Sequence, residues 1–196
     1  MAEKNLDFDT VIDRTYTNSL KYDFAVQRGK PKDVLPLWVA DMDFQVSSYI
    51  QEALSGNVAH GIFGYSEAEG SYFEAVAGWM SRHYGWNVEE TWLVKTPGIV
   101  FALAQAVRAF TEPGDAVLLQ QPVYYPFSQV IRDNGRKIVD NTLVQGEDGR
   151  YRIDFTDFEE KIRSAHVKLF FLCNPHNPVG RVWTKEELLR LGDICE

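Results

Sequence analysis

Val167-Lys168-Leu169-Phe170-Phe171-Leu172-Cys173-Asn174-Pro175-His176-Asn177-Pro178-Val179-Gly180-Arg181 is the stretch that decides how this chain is read. Its first half is an apolar run, the pattern of a strand covered on both faces. Its second half sets Asn174 and Asn177 each before a proline. Proline fixes its own φ and pushes the preceding residue out of helix, so the strand empties into a stiff loop whose side-chain amides remain able to donate. Open α/β sheets bind ligands beyond the carboxyl ends of their strands, which makes Asn177 a candidate site residue. A turn that merely closes the strand is the plainer account, and it suits Asn174 better than Asn177. A cis peptide bond at one Asn-Pro pair fits such a loop.

Upstream of this run, strands and helices alternate. The pattern predicts strands at residues 92–95, 116–120 and 137–141, and helices at 99–110 and 126–133, the second opened by Pro126. Thr156 with Glu159 predicts a helix over 156–164, and Thr184 with Glu187 caps a last one whose apolar face runs through 188–196. Gly146 and Gly149 mark a turn. The alternation from residue 92 onward predicts an α/β fold, a mostly parallel central sheet with helices on both faces. Earlier, Ser48 with Gln51 starts a helix to about residue 54, and another over 69–84 buries Tyr72, Val76, Trp79, Met80 and His83. Residues 1–46 read as an extended arm with one short strand near 37–40, which places a boundary before an α/β body at 47–196.

A chain of 196 residues with 45% hydrophobic and 13% aromatic content has the material for a packed core. Its 28 acidic against 20 basic residues give a net charge of -8 without a basic cluster, which argues against nucleic acid and anionic membrane as partners. No apolar stretch is long enough for a membrane span. Cys173 and Cys195 form no CxxC pair, and the N-terminus lacks the apolar core of a signal peptide, so a cytoplasmic location is expected. The final helix meets no stop signal before Glu196, so a longer protein is expected.

Neither G-x-G-x-x-G nor G-x-x-x-x-G-K-[ST] occurs, and a nucleotide fold loses its main support. Thr96-Pro97-Gly98-Ile99-Val100 instead joins a predicted strand to a predicted helix. The free amides of a first helical turn hold phosphate without any charged side chain, with an ordinary tight turn as the alternative. Tyr124, between Pro122 and Pro126, offers a ring for stacking on a flat heteroaromatic ligand or for plain packing. Tyr65 lies in a glycine-loosened loop and either packs there or reaches a second subunit. Asp41 and Asp43 have no histidine or third ligand beside them and make a poor metal site. His60, His83, His166 and His176 have no i,i+4 partner, which speaks against zinc, and Cys173 has no base beside it in sequence.

Together, Gly98-Ile99-Val100, Tyr124 and Asn174-Pro175-His176-Asn177-Pro178-Val179-Gly180 resemble the first half of a fold-type I pyridoxal phosphate (PLP) enzyme. Trp38-Val39-Ala40-Asp41-Met42-Asp43-Phe44 and Gly61-Ile62-Phe63-Gly64-Tyr65-Ser66 are similar to signatures of the cystathionine β-lyase or C-S lyase branch, related to class I/II aminotransferases. The likeness covers nearly the whole chain, and the ordered set is far more specific than any one motif. It implies a fold-type I PLP-dependent transferase fold, incomplete in this chain. Residues 1–46 would supply the arm and part of a small domain, and 47–196 the first part of the large cofactor domain.

The resemblance also implies roles. The amides of Ile99 and Val100 would hold the phosphate of PLP, Tyr124 would stack on the pyridine ring, and Asn177 would donate to the ring hydroxyl oxygen. Tyr65 would reach the phosphate of the neighbouring subunit in a homodimer, and Val39 and Ala40 would border the carboxylate of an amino-acid substrate. Many aminotransferases carry a small hydroxyl or alanine pair where Ile99-Val100 stands, and this departure favours the lyase branch. The implied activity is PLP-dependent C-S β-elimination from cystathionine or cysteine-type substrates, giving thiol, pyruvate and ammonia. Alternatives are an amino-acid aminotransferase and a noncatalytic regulatory or interaction protein that kept the fold. The family's Schiff-base lysine, ring-nitrogen aspartate and substrate-clamping arginine are expected beyond Glu196. No catalytic residue is therefore assigned within residues 1–196, which alone are expected to be inactive.

Overall fold

The computed structural model describes residues 7–196, and the chain divides into two compact units, one ending at Tyr72 and the other running from Phe73 to Glu196. The first unit is loop-rich, with a 3-10 turn at Val26–Arg28 and helix α1 (Ser48–His60); α2 (Gly70–Tyr84) opens at its end. Charge organises its loops. Arg14 reaches Asp41 and Asp43 at 2.6 Å each, and the Lys21 Nζ lies 2.7 Å from the Asp43 carboxylate. The expected strand at 37–40 is not formed, because no described neighbour offers it a ladder of hydrogen bonds.

Helix α1 continues to His60 instead of ending near residue 54, through the Gly56 and Asn57 pair that suggested a loop. The Asn57 amide donates to the Ala53 carbonyl at 2.9 Å, so that side chain bonds within the helix instead of breaking it. Gly61, at φ 73°, ends the helix. The expected capping box is absent: Ser47 is the N-cap, and Gln51 donates back to the Val46 carbonyl at 2.8 Å.

The second unit continues with a 3-10 turn at Glu90–Trp92 and α3 (Ile99–Phe110). The strand expected at 92–95 is likewise missing, with Trp92 closing the turn and Val94 80% exposed. Then follow β1 (Ala116–Leu119), α4 (Tyr125–Asp133), β2 (Lys137–Asp140), β3 (Val144–Gln145), β4 (Tyr151–Arg152), α5 (Phe155–Ser164), β5 (Val167–Phe170) and α6 (Lys185–Cys195). β1 is the centre of a parallel sheet ordered β2-β1-β5, with Ala116 opposite Lys137 and Leu118 opposite Phe170. β3 and β4 form a separate antiparallel hairpin around the predicted turn, each too short to leave a periodic signal.

Alternation along β1 sends its side chains to opposite faces. Val117 and Leu119 join Val107 of α3, Val130 and Ile131 of α4, and Phe171. Leu118 joins Phe158 of α5, Leu191 of α6, Ile153 and Trp183. Helices therefore cover both faces, as expected. Val107, Val117, Leu118, Leu119, Ile131 and Phe158 are fully buried, and each contributes about 1.5–3 kcal/mol from water exclusion. The cap of α5 is Asp154, whose carboxylate accepts from the amides of Thr156 and Asp157, and not Thr156 as expected. α6 carries the expected capping box of Thr184 and Glu187. Among the described residues no helix is long and apolar enough to cross a membrane.

Candidate active site

Three loops of the second unit converge on one edge of its sheet. β1 and β5 are parallel neighbours, so the loops that follow them leave from the same end. α3 runs back along the sheet and delivers the chain through residues 111–115 to the start of β1, packing on α4 and β5. Its first turn therefore stands at the end where β1 and β5 finish.

That turn is bare. Gly98 is the N-cap of α3 at φ 140° and ψ 164°, with no side-chain cap and no acidic residue in the first turn. The helical ladder begins with the amide of Ala102 bonding the Gly98 carbonyl at 3.1 Å. The amides of Ile99, Val100 and Phe101 precede it and point outward with the positive end of the helix dipole.

The loop after β1 is held from three sides. The Gln121 amide donates to the Asp140 carboxylate at 3.0 Å, the Gln121 side chain to the Ser128 hydroxyl at 3.3 Å, and the Leu143 amide to the Gln121 carbonyl at 2.7 Å. Behind it, buried Gln120 donates to Asn141 at 2.9 Å, and Asn141 donates to Asp157 at 2.8 Å and to the Asp154 carbonyl at 3.0 Å. Tyr124 then caps α4, its ring meeting that of Tyr125 edge-on at 5.3 Å and remaining 40% exposed.

The loop after β5 separates its two asparagines. The Asn174 side-chain oxygen accepts from the Trp183 amide at 3.1 Å and so closes the loop. No hydrogen bond of the exposed Asn177 side chain is found among the described residues. Both Asn-Pro bonds are cis, where one was expected, and Gln121-Pro122 is cis as well. His176 is 1% exposed, and its Nε2 lies 3.1 Å from the Pro122 carbonyl across the two loops. Burial pushes its pKa down against the surrounding carbonyls of Pro122, Gln120 and Cys173, so the ring is held neutral. The sequence showed His176 only as a loop residue; an aromatic partner at Trp183 was the one local signal that it packs inward.

Ile99, Val100, Tyr124 and Asn177 are thus brought to one sheet edge. Val39, Ala40 and Tyr65 belong to the first unit: Val39 is half-buried, while Ala40 and Tyr65 are exposed in loops. The carboxylates of Asp41 and Asp43 are taken up by Arg14 and Lys21, which hold Asp43 down at about 2. Among the described residues no group of three or more side chains suits a metal ion. Free helix-start amides, an open aromatic face and an unspent amide donor on one edge suit a flat, phosphorylated, oxygen-bearing ring.

The chain is 47% identical over 190 residues to cystathionine beta-lyase PatB of Bacillus subtilis (strain 168), covering 97% of this chain and 49% of that protein. A PLP-bound protein of Clostridium difficile 630 superposes with a TM-score of 0.91 at 40% identity, over 97% of this chain and 49% of the other. Cystalysin from Treponema denticola, whose crystal structure contains a pyridoxal 5'-phosphate cofactor, superposes with a TM-score of 0.88 at 38% identity, over 97% and 48%. The chain spans about half the length of the relatives it matches. These likenesses bear out the expected fold class. The profile of the aminotransferase class I and II family matches residues 32–196, and the chain belongs to that family.

Proposed function

We propose that the whole protein is a PLP-dependent C-S β-lyase acting on cystathionine or cysteine-type amino acids. The observation that carries this reading is the meeting of three kinds of group on one sheet edge: the unpaired amides at the start of α3, the open face of Tyr124 and the unspent amide of Asn177. The similarity to cystathionine beta-lyase PatB supports the lyase branch.

Each group has a defined task. The amides of Ile99 and Val100 receive the phosphate, whose charge the dipole of α3 favours. Their side chains carry no polar group, so the contact is left to the backbone. Tyr124 stacks on the ring and fixes its plane, and Asn177 donates to the ring hydroxyl oxygen, which favours that oxygen's anionic form. Tyr65 serves the phosphate of a partner subunit in a homodimer, and Val39 and Ala40 border the substrate carboxylate. When bound, PLP supplies the electron sink for loss of the α-proton and departure of the thiolate. In domain terms, 1–46 is the arm with part of a small domain and 47–196 the first part of the large domain. A cytoplasmic location accords with a chain that shows no membrane-crossing helix among its described residues.

The test is product analysis with the purified full-length protein, PLP and cystathionine. Pyruvate and ammonia formed one for one with thiol are expected. Amino transfer to a keto acid, with the carbon-sulfur bond intact, would establish an aminotransferase instead. A protein that takes up no PLP would be neither.

A further inference from the structure

The ladder between β1 and β5 ends before the site begins. Its last bond, from the Phe171 amide to the Leu118 carbonyl, measures 2.9 Å, and beyond it each loop leaves the sheet. Tyr124 and Asn177 both lie past this point, so backbone pairing does not fix one against the other. The His176 ring does span that gap: Pro122 stands two residues before Tyr124, and His176 immediately precedes Asn177.

We propose that His176 is a positioning residue that holds the loops after β1 and β5 in register, so that Tyr124 and Asn177 address the same bound ring. This rests on the proposed function. A carbonyl oxygen only accepts, so the bond to Pro122 puts the proton of the neutral imidazole on Nε2. Nδ1 is then a buried lone pair, and it has no partner among the described residues. Protonation there would bury a charge without a counterion, and the ring stays neutral.

The ring has little freedom to shift. Its backbone is clamped, with the amide donating to the Arg181 carbonyl at 2.6 Å and the carbonyl accepting from the Gly180 amide at 2.8 Å. Trp183 meets it edge-on at 5.4 Å and 81°. Trp183 is itself fixed by its indole N–H, which donates to the Cys173 carbonyl at 3.0 Å. The Asn177 loop thus moves as one piece with the imidazole, and the imidazole is bonded to the Tyr124 loop.

Two variants of the full-length protein separate positioning from packing. His176→Phe keeps a ring against Trp183 and removes the donor, whereas His176→Gln places an amide N–H at about the reach of Nε2. PLP affinity, read by absorbance titration, is expected to fall about tenfold in His176→Phe and to stay within about threefold of the parent in His176→Gln. Thermal midpoints of the cofactor-free proteins run alongside. A folded His176→Phe protein that binds PLP like the parent overturns the inference, as does equal loss of affinity in both variants tracking their midpoints. NMR of the parent with labelled histidine gives a readout that needs no variant: a protected Nε2–H is expected, and the Nδ1–H tautomer overturns the inference. A parent that takes up no PLP but shows the Nε2–H bond overturns the proposed function, and with it the role assigned to His176.

Discussion

Gly98→Ala tests whether the start of α3 holds the cofactor. Gly98 sits at φ 140° and ψ 164°, a region closed to residues with a side chain. A Cβ built there meets no heavy atom within 4 Å, so the penalty is entirely one of backbone conformation. Holding alanine in that conformation costs about 1–3 kcal/mol. The chain escapes the strain by rotating the peptide between residues 98 and 99, which turns the Ile99 amide away from the phosphate. At about 2 kcal/mol the loss amounts to roughly thirtyfold in PLP affinity, read by absorbance titration of the full-length protein. Gly114→Ala is the control. Gly114 has φ 92° and equally open surroundings, but it precedes β1 at the opposite end of the sheet. That variant loses stability of the same order and keeps its PLP affinity. A Gly98→Ala protein that binds PLP within about threefold of the parent, or a Gly114→Ala protein equally weakened, would refute the reasoning.

Asn141→Leu takes from the buried Gln120 side chain the oxygen it donates to and frees the Asp154 carbonyl, a loss of about 3 kcal/mol in urea unfolding. Adding Gln120→Leu recovers part of it, because two apolar groups leave no buried donor behind; an additive double variant would show that the pair is uncoupled. Asp154→Ala removes the cap of α5 and costs about 1 kcal/mol by the same assay, and no change would mean that water replaces the carboxylate at no cost. Acid loosens the first unit. The folded pKa of Asp43, about 2, lies below its unfolded value of about 3.9, so its contribution is whole above about pH 4 and fades as pH falls toward 2. Near-UV circular dichroism of Tyr22, whose ring lies under Arg14 at 5.3 Å, is expected to follow that loss, and Asp43→Asn to abolish the transition.

The α/β architecture was legible because strands on a doubly covered sheet leave apolar runs, as residues 116–119 and 169–173 do. Segments 37–40 and 92–95 carry the same local pattern but have no strand to pair with among the described residues, and pairing is a property no window of sequence contains. Asn177 was legible as a candidate from its proline. Its distinction from Asn174 was only partly so, since it depends on the Trp183 amide that Asn174 accepts. The partner of His176 lies 54 positions away in sequence, and nothing near the histidine pointed to it. Asp41 and Asp43 invited thoughts of a metal because their counterions, Arg14 and Lys21, come far earlier in the chain.

Among the described residues up to Tyr72, only Ser19, Lys21 and Ala25 are buried, and the second unit holds both apolar clusters. The two units therefore answer to different solvents. Ionic strength screens the guanidinium and ammonium contacts of the first and barely touches the aliphatic interior of the second. Guanidinium chloride, itself a salt, is therefore expected to weaken the ion pairs of Arg14 and Lys21 at concentrations where urea leaves them intact.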